Sequence, residues 1–186
     1  MLFNSIDFAL FLPLVFFLYW FITSRNLRVQ NTFVLLASYV FYGWWDYRFL
    51  ALILFSTVVD YMVGLSMSNT RFKDHRKLLL ASSLIINLGM LGFFKYYNFF
   101  VENFVDAFTL MGQRIEASTL NIVLPVGISF YTFQTLSYTI DIYREKIKPT
   151  RDFIAFAAFV GFFPQLVAGP IERASHLLPQ FFRKRV

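Results

Sequence analysis

The chain has 186 residues, 58% of them hydrophobic and 26 of them Phe, with a mean hydropathy of +0.57. Soluble domains are about 45–50% apolar, so a soluble globule is excluded: it would lack the polar surface to cover so much Phe. The net charge of +6 falls in short loops between apolar runs, which fits membrane orientation and not a nucleic-acid-binding patch. With no cysteine, disulfides, thiolate ligands and a Cys nucleophile are ruled out.

The first apolar run covers residues 6–22 and contains Pro13, which neighbouring helices can accommodate in a membrane. Residues 1–5 carry no basic stretch and no small-residue cleavage site follows, so the run is expected to stay as a span and not to be removed as a signal. The second run, 32–45, ends in YGWWDYR, an aromatic belt suited to a membrane interface. The third, 49–67, holds Asp60. Ser56, Thr57 and Gly64 beside it favour close helix approach, so Asp60 is read as a structural polar group bonded between helices.

The fourth run, 78–94, ends at Lys95. Residues 96–110 follow as an amphipathic interfacial segment, with Phe99, Phe100, Asn103, Phe104 and Ala107 on one face and Glu102 and Asp106 on another. The fifth run is expected at 121–142. At 100° per residue, Gly127, Tyr131, Gln134, Tyr138 and Asp141 share one face, and Phe133, Leu136, Ile140 and Tyr143 lie opposite. A carboxylate at mid-membrane costs about 2.5–3.5 kcal/mol, so the polar stripe should face protein or water. Arg144, three residues beyond Asp141, is close enough for an ion pair.

The sixth run, 153–169, is interrupted by Gly161, Pro164 and Gly169, with Pro170 and Pro179 beyond. Such a segment is a candidate re-entrant loop, tolerated at membrane depth only when buried in protein or lining a wet cavity. The loops 24–31, 68–77 and 144–151 carry two, four and four Lys/Arg, while the alternate connections hold only Arg48, Lys95 and Arg114. The positive-inside rule then places the N-terminus outside and the basic loops in the cytoplasm. The expected fold is all-α: a single polytopic transmembrane helical domain. Neither His75 nor His176 has the carboxylate spacing of a metal site. Phosphate loops and dinucleotide fingerprints are absent. On these features alone, Asp60, Asp141 and a broken segment fit a transporter or flippase module or a noncatalytic membrane scaffold as well as an enzyme.

The string LPVGISFYTFQTLSYTIDIYR, residues 124–144, resembles the signature segment of the membrane-bound O-acyltransferases, in particular the branch that acetylates exported polysaccharides such as alginate. FFPQLVAGPIERASHLLPQF resembles the segment that follows it there. LLASYVFYGWWDYRFLALILFSTVVDYMVG and LGFFKYYNFF resemble the N-terminal spans. The resemblance runs over nearly the whole chain. It implies a multi-pass enzyme of the bacterial inner membrane that passes acetyl from a cytosolic donor, acetyl-CoA, towards hydroxyls of an exported polymer. Periplasmic polysaccharide acetyltransferases would be its partners and lipid its surroundings; no bound cofactor is implied. The family's catalytic histidine lies in a later membrane helix, and neither His75 nor His176 occupies that motif. The chain therefore looks like an N-terminal fragment, inactive by itself. Gln134, Tyr138, Asp141, Gln165 and Arg173 are the residues expected to border a substrate passage, and Arg173 or a cytoplasmic-loop Lys would attract donor phosphates.

Overall fold

The computed structural model describes residues 5–23, 26–44, 46–110, 125 and 127–183, and every regular element among them is helical. Helix α1, Ile6–Phe17, starts where the Ser5 side chain accepts the Phe8 N–H, continues into a π turn at Leu18–Ile22, and buries none of its residues. Helix α2, Leu27–Gly43, is capped by Asn26, and α3, Tyr47–Ser68, by Asp46. Both caps offer a side-chain oxygen to an otherwise unpaired first-turn N–H. A 3₁₀ stretch, Thr70–His75, leads into α4, Arg76–Leu110.

Helix α4 corrects one expectation. The interfacial segment at 96–110 is not a separate helix but the continuation of the run that begins at Arg76. Lys95 is followed by Tyr, Tyr and Asn, with no Gly, Pro or capping signal to stop the helix. Phe99, Phe100, Asn103, Phe104 and Ala107 remain exposed. At 1.5 Å per residue the 35 residues reach about 50 Å, well beyond a hydrocarbon core of about 30 Å.

Helix α5, Ile128–Tyr143, begins after Gly127, whose φ of 79° is open to glycine at little cost. Residues 121–124 of the expected fifth span lie outside the described residues. The sixth run is not one helix. It divides into α6, Phe153–Val160, and α7, Phe163–Ala168, and is followed by extended backbone, α8, Ala174–Leu177, and a 3₁₀ turn, Leu178–Phe182. Eight residues of α6 advance only about 12 Å.

Helix α5 is central, packed against α3, α4, α6 and α8. Helix α6 is buried from Ala155 to Val160. The outside is the reverse of a soluble protein: Leu10, Phe21 and Ile85 are each 71% exposed and Met62 59%. Among the described residues, Tyr47–Ser68 and Thr70–Leu110 are long and apolar enough to cross a bilayer, while Ile6–Phe21 and Phe153–Gln165 are apolar but shorter. This exterior is that of a membrane protein.

Candidate functional site

Two polar assemblies meet on α5. The first lies between α3, α4 and α5. Ser83 donates its hydroxyl to Asp60 Oδ1 at 2.5 Å, and Asn87 donates its amide to Asp60 Oδ2 at 2.9 Å. Ser56 donates to Asn87 Oδ1 at 2.7 Å, and Thr139 Oγ1 lies 3.3 Å from Ser83 Oγ. Asp60, Ser56, Ser83 and Asn87 are all fully buried. Asp60 of α3 thus accepts from two side chains of α4. Gly64, one turn further on α3, presses on Tyr138: a Cβ added there would stand 2.7 Å from the Tyr138 ring.

The second assembly fastens the broken segment, 153–183, to the core. Its backbone leaves helical geometry inside the fold, so its N–H and C=O groups need outside partners. Side chains supply them. Ser38 of α2 accepts the first N–H of α7, from Phe163, at 3.3 Å, and Ser137 of α5 accepts the first N–H of α8, from Ala174, at 3.0 Å. Asn31 donates to the carbonyl of Phe181 at 2.8 Å. Gln134 donates to Gln165 Oε1 at 3.1 Å, and Gln165 donates in turn to the carbonyl of Pro170 at 2.9 Å. Thr150, just before the segment, donates its N–H to the Tyr138 hydroxyl at 3.2 Å. Ile147, Lys148 and Thr150 share one cavity, of about 530 Å³, with Leu178, Phe182 and Arg183, so the two ends of the segment lie side by side.

The residues expected along a passage therefore part company. Gln134, Tyr138 and Gln165 come together with the broken segment, and all three are buried. Asp141 is buried on the same helix, but the pair expected with Arg144 is absent: Arg144 is exposed, and Asp141 Oδ2 has no hydrogen-bond partner. Arg144 caps the C-terminus of α5, its N–H bonded to the Ile140 carbonyl and its side chain exposed. Arg173 is exposed at the start of α8. Along α5, Tyr131 Oη, Thr132 Oγ1, Gln134 Oε1 and Asp141 Oδ2 are buried and unpartnered among the described residues. Such atoms are few in folded proteins, and each calls for a water, a ligand or further protein. On the opposite face of α5, Leu136 is buried and Phe133 is exposed.

One residue that sequence reasoning passed over holds the C-terminal end of α5. Arg76 donates to the carbonyls of Ile142 and Tyr143 at 3.1 and 3.0 Å, satisfying the exposed end of α5, and pairs with Glu145 at 2.5 Å. Its guanidinium holds the Glu145 carboxyl below its usual range. As one of four basic residues in its loop, Arg76 carries no sequence signal that sets it apart. His75 and His176 are both exposed, and no group of three His, Cys, Asp or Glu that would hold a metal occurs among the described residues.

The chain is 43% identical over 184 residues to the probable alginate O-acetylase AlgI of Pseudomonas syringae pv. tomato, and 41% identical to the protein of that name in Pseudomonas aeruginosa. It is 35% identical over 208 residues to the peptidoglycan O-acetyltransferase of Helicobacter pylori. Each match covers 97% of this chain. The chain is a homologue of these bacterial O-acetyltransferases. That agrees with the resemblance carried by residues 124–144 and by the broken segment. The homologue spans about a third of the length of the curated relatives it matches, 35% and 34% for the two Pseudomonas proteins and 38% for that of Helicobacter. No family model and no solved structure matches it.

Proposed function

We propose that this chain is part of a multi-pass O-acetyltransferase of the bacterial inner membrane, one that hands acetyl from cytosolic acetyl-CoA towards hydroxyls of an exported polysaccharide. The identity of 41–43% over 97% of the chain to alginate O-acetylases carries this reading. It also favours an acyltransferase over a transporter or scaffold.

On this reading α5 and the broken segment form part of the wall of a passage. The unpartnered atoms of Tyr131, Thr132, Gln134 and Asp141 are the groups that water, acceptor or the rest of the protein would meet. The Gln134–Gln165 bond holds the segment's turn against α5 and acts as a positioning contact. Residues 153–183 enter and leave the membrane on one side as a re-entrant segment, which the adjacency of Thr150 and Phe182 supports. His75 and His176 are both exposed, and this reading assigns acid–base catalysis to neither. Periplasmic acetyltransferases would receive the acetyl group.

The test is the ester-linked acetyl content of the exported polysaccharide. Deleting the full gene should abolish it, and complementation should restore it. A polymer with unchanged acetylation after deletion would reject the proposal.

A further inference from the structure

Helix α1 and the π turn that continues it pack on the core through Phe8 and Phe11 before Pro13 and through Val15 and Tyr19 beyond it. Phe8 and Phe11 meet Phe41 at ring-centroid distances of 6.0 and 6.1 Å, and Phe11 meets Phe163 at 5.5 Å. Beyond Pro13 the helix roofs a cavity of about 510 Å³, with Val15, Phe16 and Trp20 above and Val34, Phe162 and Phe181 below. Small-molecule sites have volumes of roughly 300–1,000 Å³. The π turn at Leu18–Ile22 lies over this end, and such turns often mark functional positions.

The lining is apolar except where Gln180 and Arg183 stand. Arg183 also borders the neighbouring cavity, of about 530 Å³, together with Lys148 and Thr150. Neither Arg183 nor Lys148 has an ion-pair partner among the described residues. An apolar slot thus adjoins a vestibule with two uncompensated cations, and Arg183 belongs to both. Hydrocarbon suits the slot, and a phosphodiester suits the vestibule, since guanidinium and ammonium groups bind phosphate oxygens. Lys148 lies in a loop whose charge marks it as cytoplasmic, the side where basic groups meet anionic lipid heads.

We propose that this slot binds one acyl chain of an anionic phospholipid, with its phosphate between Arg183 and Lys148. No residue of α5, and none of its unpartnered atoms, lines the slot or the vestibule, so the proposal stands or falls apart from acetyl transfer.

Trp20 serves as the reporter. Full-length protein, stripped of lipid in detergent, is titrated with micelles containing dibrominated phosphatidylglycerol or dibrominated phosphatidylcholine. Bromine quenches a contacting indole, and subtracting the signal of a Trp20→Phe variant isolates Trp20. Half-quenching is expected at a mole fraction of phosphatidylglycerol about fivefold or more below that of phosphatidylcholine, the preference two nearby cations provide. The double variant Lys148→Ala, Arg183→Ala should bring the two curves together and leave the phosphatidylcholine curve unchanged. Both residues are exposed, so the fold should not suffer. Coincident curves in the wild type, or a preference that survives the double variant, would overturn the proposal. So would the absence of any Trp20 quenching, which means that protein fills the slot. Displacement of phosphatidylglycerol by coenzyme A, but not by chloride of equal ionic strength, would assign the cations to a soluble phosphate and equally overturn it.

Discussion

Ser137 shows how one hydroxyl can hold two elements. It donates to the Gln134 carbonyl of its own helix and accepts the Ala174 N–H of another. Ser137→Ala leaves that N–H without its partner, a loss of about 1–3 kcal/mol. Ser82 bonds only the Leu79 carbonyl in its own helix, so Ser82→Ala should change stability by less than about 0.5 kcal/mol. Thermal unfolding of the two variants in detergent measures the difference. Asp60 gives a second contrast. Asp60→Asn can accept from Asn87 while its amide donates to Ser83, whose hydroxyl turns towards Thr139 at 3.3 Å. Asp60→Ala strands the Asn87 and Ser83 groups and should cost about 1–3 kcal/mol. Full-length Asp60→Asn is expected to keep both its melting temperature and acetylation of the polymer. Loss of acetylation at an unchanged melting temperature would show that the carboxylate carries protons and is not merely structural. The sequence made Asp60 legible as a helix-to-helix bond because Ser56 and Gly64 lie on its helix. Its partners Ser83 and Asn87, more than twenty residues away, were not legible.

Among the elements, α5 has the most to lose at its C-terminal end, where unpaired carbonyls collect. Arg76 satisfies two of them, and the guanidinium charge also suits the negative end of the helix. Arg76→Ala should destabilise by about 1.5–3 kcal/mol, and the part due to the two carbonyl bonds should persist at every pH. Glu145 behaves differently. Its pKa is depressed in the fold by Arg76, so its contribution is present above the unfolded-state pKa of about 4.3 and is lost as pH falls through the lower folded value. Unfolding measured from pH 7 down to pH 3 should therefore show wild type and Glu145→Gln converging on acidification, while Arg76→Ala stays below both. A constant gap between wild type and Glu145→Gln would rule out the charge contact. At this scale Asn26, Asp46 and Asp152 cap the N-termini of their helices, local signals that the reading by apolar runs did not use. The long run of α4 was misjudged because a lone lysine looks like an interface but does not break a helix.

For the whole molecule, the broken segment decides the topology. The chain has no cysteine, so single cysteines can report sidedness. In intact cells expressing the full-length protein without other accessible cysteines, a membrane-impermeant maleimide should label Tyr47→Cys. It should reach Lys73→Cys, Lys148→Cys and Phe182→Cys only after the membrane is opened. All four positions are exposed. Labelling of Phe182→Cys in intact cells would mean that residues 153–183 cross the bilayer, and the re-entrant reading would fall. The outcome at Tyr47 and Lys73 tests the N-terminus-out orientation independently.

The sequence by itself determined the helical membrane class, the polar face of α5, the interruption at Gly161–Pro164 and the resemblance to O-acyltransferases. The first three rest on composition or on the spacing of residues along the chain, and the resemblance on contiguous strings of residues, and all of these are local. Only the tertiary structure decided that Ser38, Asn31 and Ser137 supply the broken segment's missing bonds, that Gln134 meets Gln165, that Asp141 lies apart from Arg144, and that Arg76 closes α5. Buried polar groups must find partners wherever the packing brings them, and contacts spanning 31 to 150 residues leave no periodic trace in the chain.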